Sequence, residues 1–179
     1  MNQSLETLHT GIIVSAKKGY PILLSGSIVF FLFTFLPFLF PMNIVYLIWI
    51  FGLGIIFPLG LVLSKLLGIN LLTNTNPLGT LGGIIAASQA FYIPVFIIVY
   101  QHIPEYLPFT IGLLGGSHFL GYVWIYKSKA YLFVTLGVCL SSFIIGGFFI
   151  NHAFTLVPLA ISLVYAISVL QALREINNN

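Results

Sequence analysis

The sequence predicts an all-α integral membrane protein, a six-helix bundle with its N- and C-termini cytoplasmic. Three observations carry that prediction. Only six Lys or Arg and three Asp or Glu occur among 179 residues, of which 59% are apolar, and a soluble globule of this size needs far more charge to wet its exterior. The apolar residues fall in runs of about 20, the length a helix needs to cross a hydrocarbon core. Once those runs are folded back and forth, every cation falls at the same end.

Residues 1–19 read as an N-terminal cytoplasmic segment. Glu6, His9, Lys17 and Lys18 interrupt it, so it lacks the continuous apolar stretch of a cleavable signal peptide. Within it, "QSLETLHTGIIVSAKK" has the spacing of a short amphipathic helix on the inner surface. Leu5, Leu8, Ile12 and Val14 would then face lipid, with Lys17 and Lys18 near the headgroups. A partly ordered tail is the other reading.

A single transmembrane domain, residues 20–174, follows, with spans at roughly 21–40, 43–64, 79–101, 107–126, 130–150 and 153–173. Pro41-Met42-Asn43 separates the first two spans, since Pro cannot continue the hydrogen-bond ladder. In the segment 66–78, Asn76-Pro77 reads as an N-cap followed by Pro at the first helical position. That segment is a surface loop on the simplest reading and a re-entrant dip on the alternative. "QHIPEYLP", "KSK" and Asn151-His152 divide the remaining spans, and residues 175–179 read as a frayed tail. Pro58, Pro94 and Pro158 are placed to kink spans two, three and six.

Lys17 and Lys18 precede span one, Lys65 ends span two, Lys127 and Lys129 end span four, and Arg174 ends span six. The opposite loops carry no cation, so the positive-inside rule makes the lysine side cytoplasmic. These cations are scattered along the chain, which gives no nucleic-acid footprint. Cys139 is the single cysteine, so neither an intrachain disulfide nor a CxxC motif is possible.

The missing chemistry is as informative. Glu6, Glu105 and Glu175 all lie outside the spans, so the intramembrane carboxylate typical of ion-coupled transport is absent. No HExxH, Walker A or dinucleotide-binding pattern occurs. "GGSH" superficially resembles the GxSG serine motif of intramembrane proteases, but His118 stands where the second Gly belongs. A neighbour in sequence also points about 100° away on a helix. His9, His102 and His152 all fall near span ends, so no catalytic, cofactor or metal residue is assigned.

A polar side chain in hydrocarbon needs a protein partner, so polar residues at mid-depth mark inward faces. They are Ser88 and Gln89 in span three, Ser117 and His118 in span four, Cys139, Ser141 and Ser142 in span five, and Ser162 with Tyr165 in span six. Ser25 and Ser27 sit toward one end of span one. Helices three to six are therefore expected to enclose the polar interior, leaving helices one and two as scaffold or oligomer face. His118 shares its helix face with Gly115, Gly121 and Tyr122, and Gln89 with Gly82, Ala86 and Tyr92. Both faces have the small residues of close packing, and a hydrogen bond between Gln89 and His118, direct or through water, is expected. Ser141 and Ser142 read as packing residues bonded to their own backbone, and Tyr122-Trp124-Tyr126 as an interfacial aromatic belt.

The run "GGSHFLGYVWIYKSKAYL", with a looser match at "NPLGTLGG", resembles an uncharacterised family of small bacterial membrane proteins with about six spans. In that family a His-Phe pair in a membrane helix precedes a Tyr/Trp-rich end and a basic-Ser-basic turn. The resemblance implies a multi-pass protein of the bacterial plasma membrane and carries no activity.

Three functions fit. One is transport or binding of a small neutral or amphiphilic molecule in a mid-membrane polar cavity near Ser88, Gln89, Ser117, His118 and Tyr122. The second is a non-catalytic accessory, sensor or immunity-type membrane protein whose polar layer serves packing. The third is a lipid-modifying enzyme, for which catalytic groups are lacking. The partners expected are membrane lipids, a hydrophobic or amphiphilic ligand and a second copy of the chain, with no cofactor and no nucleic acid.

Overall fold

A computed structural model describes residues 4–72 and 76–178. Helix is the only regular structure among them. The chain is an all-α bundle.

The first helix, α1 (Leu5–Ala16), starts at Ser4, whose hydroxyl accepts the Thr7 N–H at 3.2 Å. It ends where Lys17, Lys18 and Gly19 take φ values of 46°, 52° and 67°. This run of left-handed residues breaks the helix sharply. The expected lipid-facing surface of α1 is half right. Leu5 and Val14 are exposed, but Ile12 is 1% exposed and sits in the core with His9. The helix docks on the bundle because it meets polar partners there: Asn76 Nδ2 donates to the Leu8 carbonyl at 2.8 Å. Asn76 also caps α6 (Pro77–Ala87), accepting the Leu78 N–H at 2.9 Å.

Span one comprises α2 (Tyr20–Phe33) and α3 (Leu36–Leu39), and span two comprises α4 (Met42–Gly52) and α5 (Ile56–Leu66). Span three joins α6 to α7 (Ile93–His102) through a 3₁₀ segment, Ser88–Tyr92. Each of these spans is interrupted about one turn before a proline: Thr34-Phe35 before Pro37, Leu53–Ile55 before Pro58, and Ser88–Tyr92 before Pro94. Proline offers no N–H to the carbonyl four residues back, so the preceding turn tightens. At Pro158 the helical assignment is not interrupted, and α11 (Ala153–Asn177) runs through it.

Five helical stretches are long and apolar enough to cross a membrane: Leu5–Leu39, Met42–Leu66, Pro77–His102, Lys129–Phe148 and Ile150–Asn177. The fourth expected span is split into α8 (Leu107–Ser117) and α9 (Leu120–Ile125) by a turn at His118-Phe119. Together the pieces still cover about 20 residues, enough for one crossing. Span five is α10 (Lys129–Phe148). The tail expected to fray is instead helical to Asn177, because Glu175 is tied into the bundle as described below; Asn179 lies outside the described residues. The stretch 67–72 contains no helix, as a surface loop would have it, while residues 73–75 lie outside the described residues.

Spans one and six form the centre. Half of the most apolar window of each is buried, against 17% in span three. Span one is thus core and span three peripheral, the reverse of the expected division. The cause is close packing at a glycine together with one pair of serines. At the α2–α11 crossing, Gly26 lets Tyr165 approach so closely that an added Cβ would lie 2.2 Å from its ring. Ser27 Oγ donates to the Ser162 carbonyl at 3.0 Å, and Ser162 Oγ returns a bond to the Ser27 carbonyl at 2.9 Å. Aromatic rings then run the length of the bundle, through Tyr126, Tyr131, Phe119, Tyr165, Phe30, Trp49, Phe154, Tyr46 and Tyr100. Successive centroids lie between 5.3 and 6.2 Å apart, within the usual range for aromatic pairs.

The α8–α10 crossing yields a clean test. A Cβ at Gly146 would sit 2.8 Å from Phe109 Cα and 2.9 Å from its backbone nitrogen, whereas one at Gly147 would meet nothing within 4 Å. Backbone cannot swing aside like the end of a side chain, so Gly146→Ala should cost about 1–3 kcal/mol. Gly147→Ala should be neutral or mildly stabilising. Thermal unfolding of the two variants in one detergent checks the contrast.

Candidate functional site

The residues singled out by sequence lie around the break in span four. No proline causes this break; a Gly115-Gly116 pair precedes it, a common origin of helix kinks. The Phe119 N–H donates three residues back, to the Gly116 carbonyl at 3.2 Å, and the Tyr122 N–H does the same toward Phe119 at 3.0 Å. A regular α-helix would have given the Gly115 carbonyl to Phe119. That carbonyl accepts from His118 Nδ1 instead. A carbonyl can only accept, so Nδ1 carries the hydrogen and Nε2 of the neutral ring is an acceptor. The ring is half-buried, packed on Phe119 at 3.9 Å between centroids and edge-on to Tyr122 at 6.1 Å.

His118 therefore caps its own helix at the point where the backbone breaks. No direct hydrogen bond joins it to Gln89. Gln89 lies half-buried on the Ser88–Tyr92 segment, which packs against α8, and makes no hydrogen bond among the described residues. The 3₁₀ winding that Pro94 imposes shifts side-chain directions there, a rotation that ideal helical spacing does not include. Helices three and four are joined through Tyr122, whose hydroxyl donates to the Gly82 carbonyl at 2.6 Å. Ser88 and Ser117 donate to the Ile85 and Leu114 carbonyls of their own helices, each at 2.8 Å, and Ser117 is exposed. Of the two glycines expected beside His118, Gly121 packs tightly on Ile85, while a Cβ at Gly115 would meet open space; Gly116 makes the close contact with α10 instead.

The largest polar assembly lies elsewhere, at the lysine end. Lys18, expected near headgroups, is buried with 3% of its side chain exposed, and its Nζ is 2.8 Å from Glu175 Oε2. Glu175 Oε1 accepts the Ala130 N–H at 3.1 Å, and Tyr131 Oη donates to the Lys18 carbonyl at 2.7 Å. Gly19 fits beneath the Tyr131 and Tyr126 hydroxyls only because it lacks a Cβ, and its φ of 67° suits glycine. Tyr126 is thus buried, and of the expected aromatic belt only Trp124 remains at the surface, edge-on to His9. His9 Nδ1 donates to the Ile125 carbonyl at 2.9 Å. Sequence reasoning passed over this assembly because its members lie at span ends, where charge is ordinarily explained by solvent. The one available signal was a carboxylate on the lysine side opposite a Lys-Lys-Gly turn.

Residues 5–175 match a family of unknown function, DUF7010. The chain belongs to that family. The DUF7010 match takes in α1 and the Lys18–Glu175 pair, well beyond the stretch around His118 that suggested a resemblance. No curated protein and no solved structure matches the chain.

Glu175 lies two residues past the end of the predicted sixth span. Burial alone would raise its pKa, but hydrogen bonds from Lys18 and the Ala130 N–H, with the Ser128 hydroxyl and the Lys18 charge, hold it below the usual carboxylate value. A carboxyl depressed in the folded state contributes stability that is complete above its unfolded pKa and is lost as pH falls through the folded one. The melting temperature should hold steady from neutrality down to the ordinary carboxylate range and drop below it. Glu175→Gln should remove that acid-side drop. Lys18→Met should cost about 1–3 kcal/mol, less than a fully buried pair because the carboxylate is partly solvated. Melting curves against pH for the three proteins test both statements.

Proposed function

We propose that this protein is a non-enzymatic, multi-pass protein of a bacterial plasma membrane that binds a neutral amphiphilic molecule from the bilayer. The polar head of that molecule would lie where spans three and four meet, beside His118 and Gln89. One observation carries the reading: two half-buried polar groups, His118 Nε2 and the Gln89 amide, stand on adjoining irregular stretches without a protein hydrogen bond among the described residues. In hydrocarbon such groups are costly to leave unpaired, and irregular backbone at that depth persists where it is buried or lines a cavity. The open space beside Gly115 lies on the same stretch of α8.

The chemistry narrows the ligand. Nε2 accepts, so the ligand offers an O–H or N–H, and Gln89 can both donate and accept. A hydroxyl or amide headgroup on an apolar tail satisfies both. The lysine distribution sets the orientation, and the family resemblance favours a bacterial host. A packing-only accessory protein is the second reading, favoured by Ser88, Ser117 and Tyr122, whose hydroxyls are already bonded to backbone.

Gln89→Leu is the decisive variant, because it breaks no hydrogen bond among the described residues. Purified protein would be screened by thermal shift against long-chain alcohols, monoacylglycerols and fatty amides. A compound should raise the melting temperature of the wild type, and Gln89→Leu should abolish that shift while keeping the unliganded value. His118→Ala should also abolish it, at a stability cost of about 1–3 kcal/mol from the uncapped Gly115 carbonyl. A Gln89→Leu protein that responds like the wild type to every hit would return Gln89 and His118 to a packing role.

A further inference from the structure

The charges of Lys18 and Glu175 cancel, yet the segments meeting at that pair bring four more cations with them. Lys17 adjoins Lys18, Arg174 adjoins Glu175, and Lys127 and Lys129 flank Ser128 just before the Ala130 N–H that Glu175 holds. All four are exposed. Their counter-charges are few: the lysine end carries all six cations of the chain but only two carboxylates, Glu6 and Glu175.

Backbone geometry adds to this. Lys17 and Lys127 have φ of 46° and 45°, a left-handed conformation at a helix end that glycine or asparagine would take at less cost. The Lys17–Gly19 turn is held from α10, and the Lys127 turn by the C-cap bonds of its own helix. Tyr131 Oη bonds the Lys18 carbonyl, and the Lys127 and Ser128 N–H groups donate to the Trp124 and Val123 carbonyls at 3.3 and 3.2 Å. Trp124, 51% exposed beside these turns, is an interfacial aromatic that sets their depth at the headgroup level. The N–H of Ala130, the second residue of α10, is already taken by Glu175, and the exposed side-chain cations are what an anion here would meet.

We infer that this rim binds the phosphate of anionic phospholipids through Lys17, Lys127, Lys129 and Arg174. The lipid surface is the source favoured, because the four cations end spans that terminate at the headgroup layer. Each cation contributes about a fivefold gain in affinity near an anionic surface, and the gain weakens with salt.

The test uses the full chain in detergent micelles, where membrane orientation plays no part. Melting temperature is followed while phosphatidylglycerol, phosphatidylcholine or inorganic phosphate is added, at low and high salt. Phosphatidylglycerol should stabilise the protein, phosphatidylcholine and phosphate should not, and high salt should reduce the effect. The K127Q/K129Q variant should bind phosphatidylglycerol about twentyfold more weakly, with its melting temperature in phosphatidylcholine unchanged, while the K127R/K129R variant keeps the response. If K127Q/K129Q melts early even in phosphatidylcholine, K17Q and R174Q, on separate segments, each take its place with an expected fivefold loss. Equal shifts from both lipids, an equal shift from phosphate alone, or full phosphatidylglycerol response in the neutralised variants would overturn the assignment.

Discussion

The ion pair between Lys18 and Glu175 is the constraint on which the lysine end of the bundle depends. Taking the Lys18 charge and much of the carboxylate out of water is expensive, and such a pair is stronger when its remaining protons and lone pairs are also used. Here the second carboxylate oxygen takes the Ala130 N–H and the Lys18 carbonyl takes the Tyr131 hydroxyl. The beginning of α2, the beginning of α10 and the end of α11 are thereby fixed to one point. Further along the same two helices, Ser27 and Ser162 exchange hydrogen bonds. Two polar contacts at different depths set the register of α2 against α11, which apolar packing alone leaves degenerate.

Around that axis the bundle is built from close approaches and aromatic rings. Lipid tails are as apolar as the side chains they replace, so helices associate through tight packing and a few hydrogen bonds. Gly26 admits the Tyr165 ring, and Gly112 faces Ser142 at a distance that leaves no room for a methyl group. The ring series from Tyr126 to Tyr100 fills the remaining volume with stiff side chains. This makes span one central even though its middle carries little polarity.

The gross architecture was legible because its causes are local. Run length gives the spans, cation placement gives the shared end, and Asn76-Pro77 announces the start of α6. The interior arrangement was not legible, since Phe30, Trp49 and Phe154 look in sequence like any other apolar residues in a membrane run. Proline effects were half legible. Pro58 and Pro94 do disturb the turn before them, but Pro37 lies too near a span end to draw notice, and the helix around Pro158 continues regardless. His118 bonds a carbonyl of its own helix directly, where a direct or water-mediated bond to Gln89 was expected. Helical spacing placed it opposite Gln89 by treating both helices as regular, and both are irregular at that depth.

That irregularity separates His118 and Gln89 from the other polar groups of the bundle. Serines in the spans mostly bond a carbonyl on their own helix, as Ser88, Ser117 and Ser141 do. Trp49 Nε1 and Ser142 Oγ are buried without a hydrogen-bond partner among the described residues, but each is enclosed, the indole among the Phe30, Phe33 and Phe154 rings and the hydroxyl against Gly112. No ligand can reach either. His118 and Gln89 combine an unused hydrogen-bonding group with partial exposure, on neighbouring stretches whose helical ladders have already been opened. The histidine answers a structural need with one nitrogen, since the broken ladder frees the Gly115 carbonyl and Nδ1 takes it. The other nitrogen is left outside that need, and a purely structural cap would have been served as well by a serine, which brings no second polar atom into the membrane.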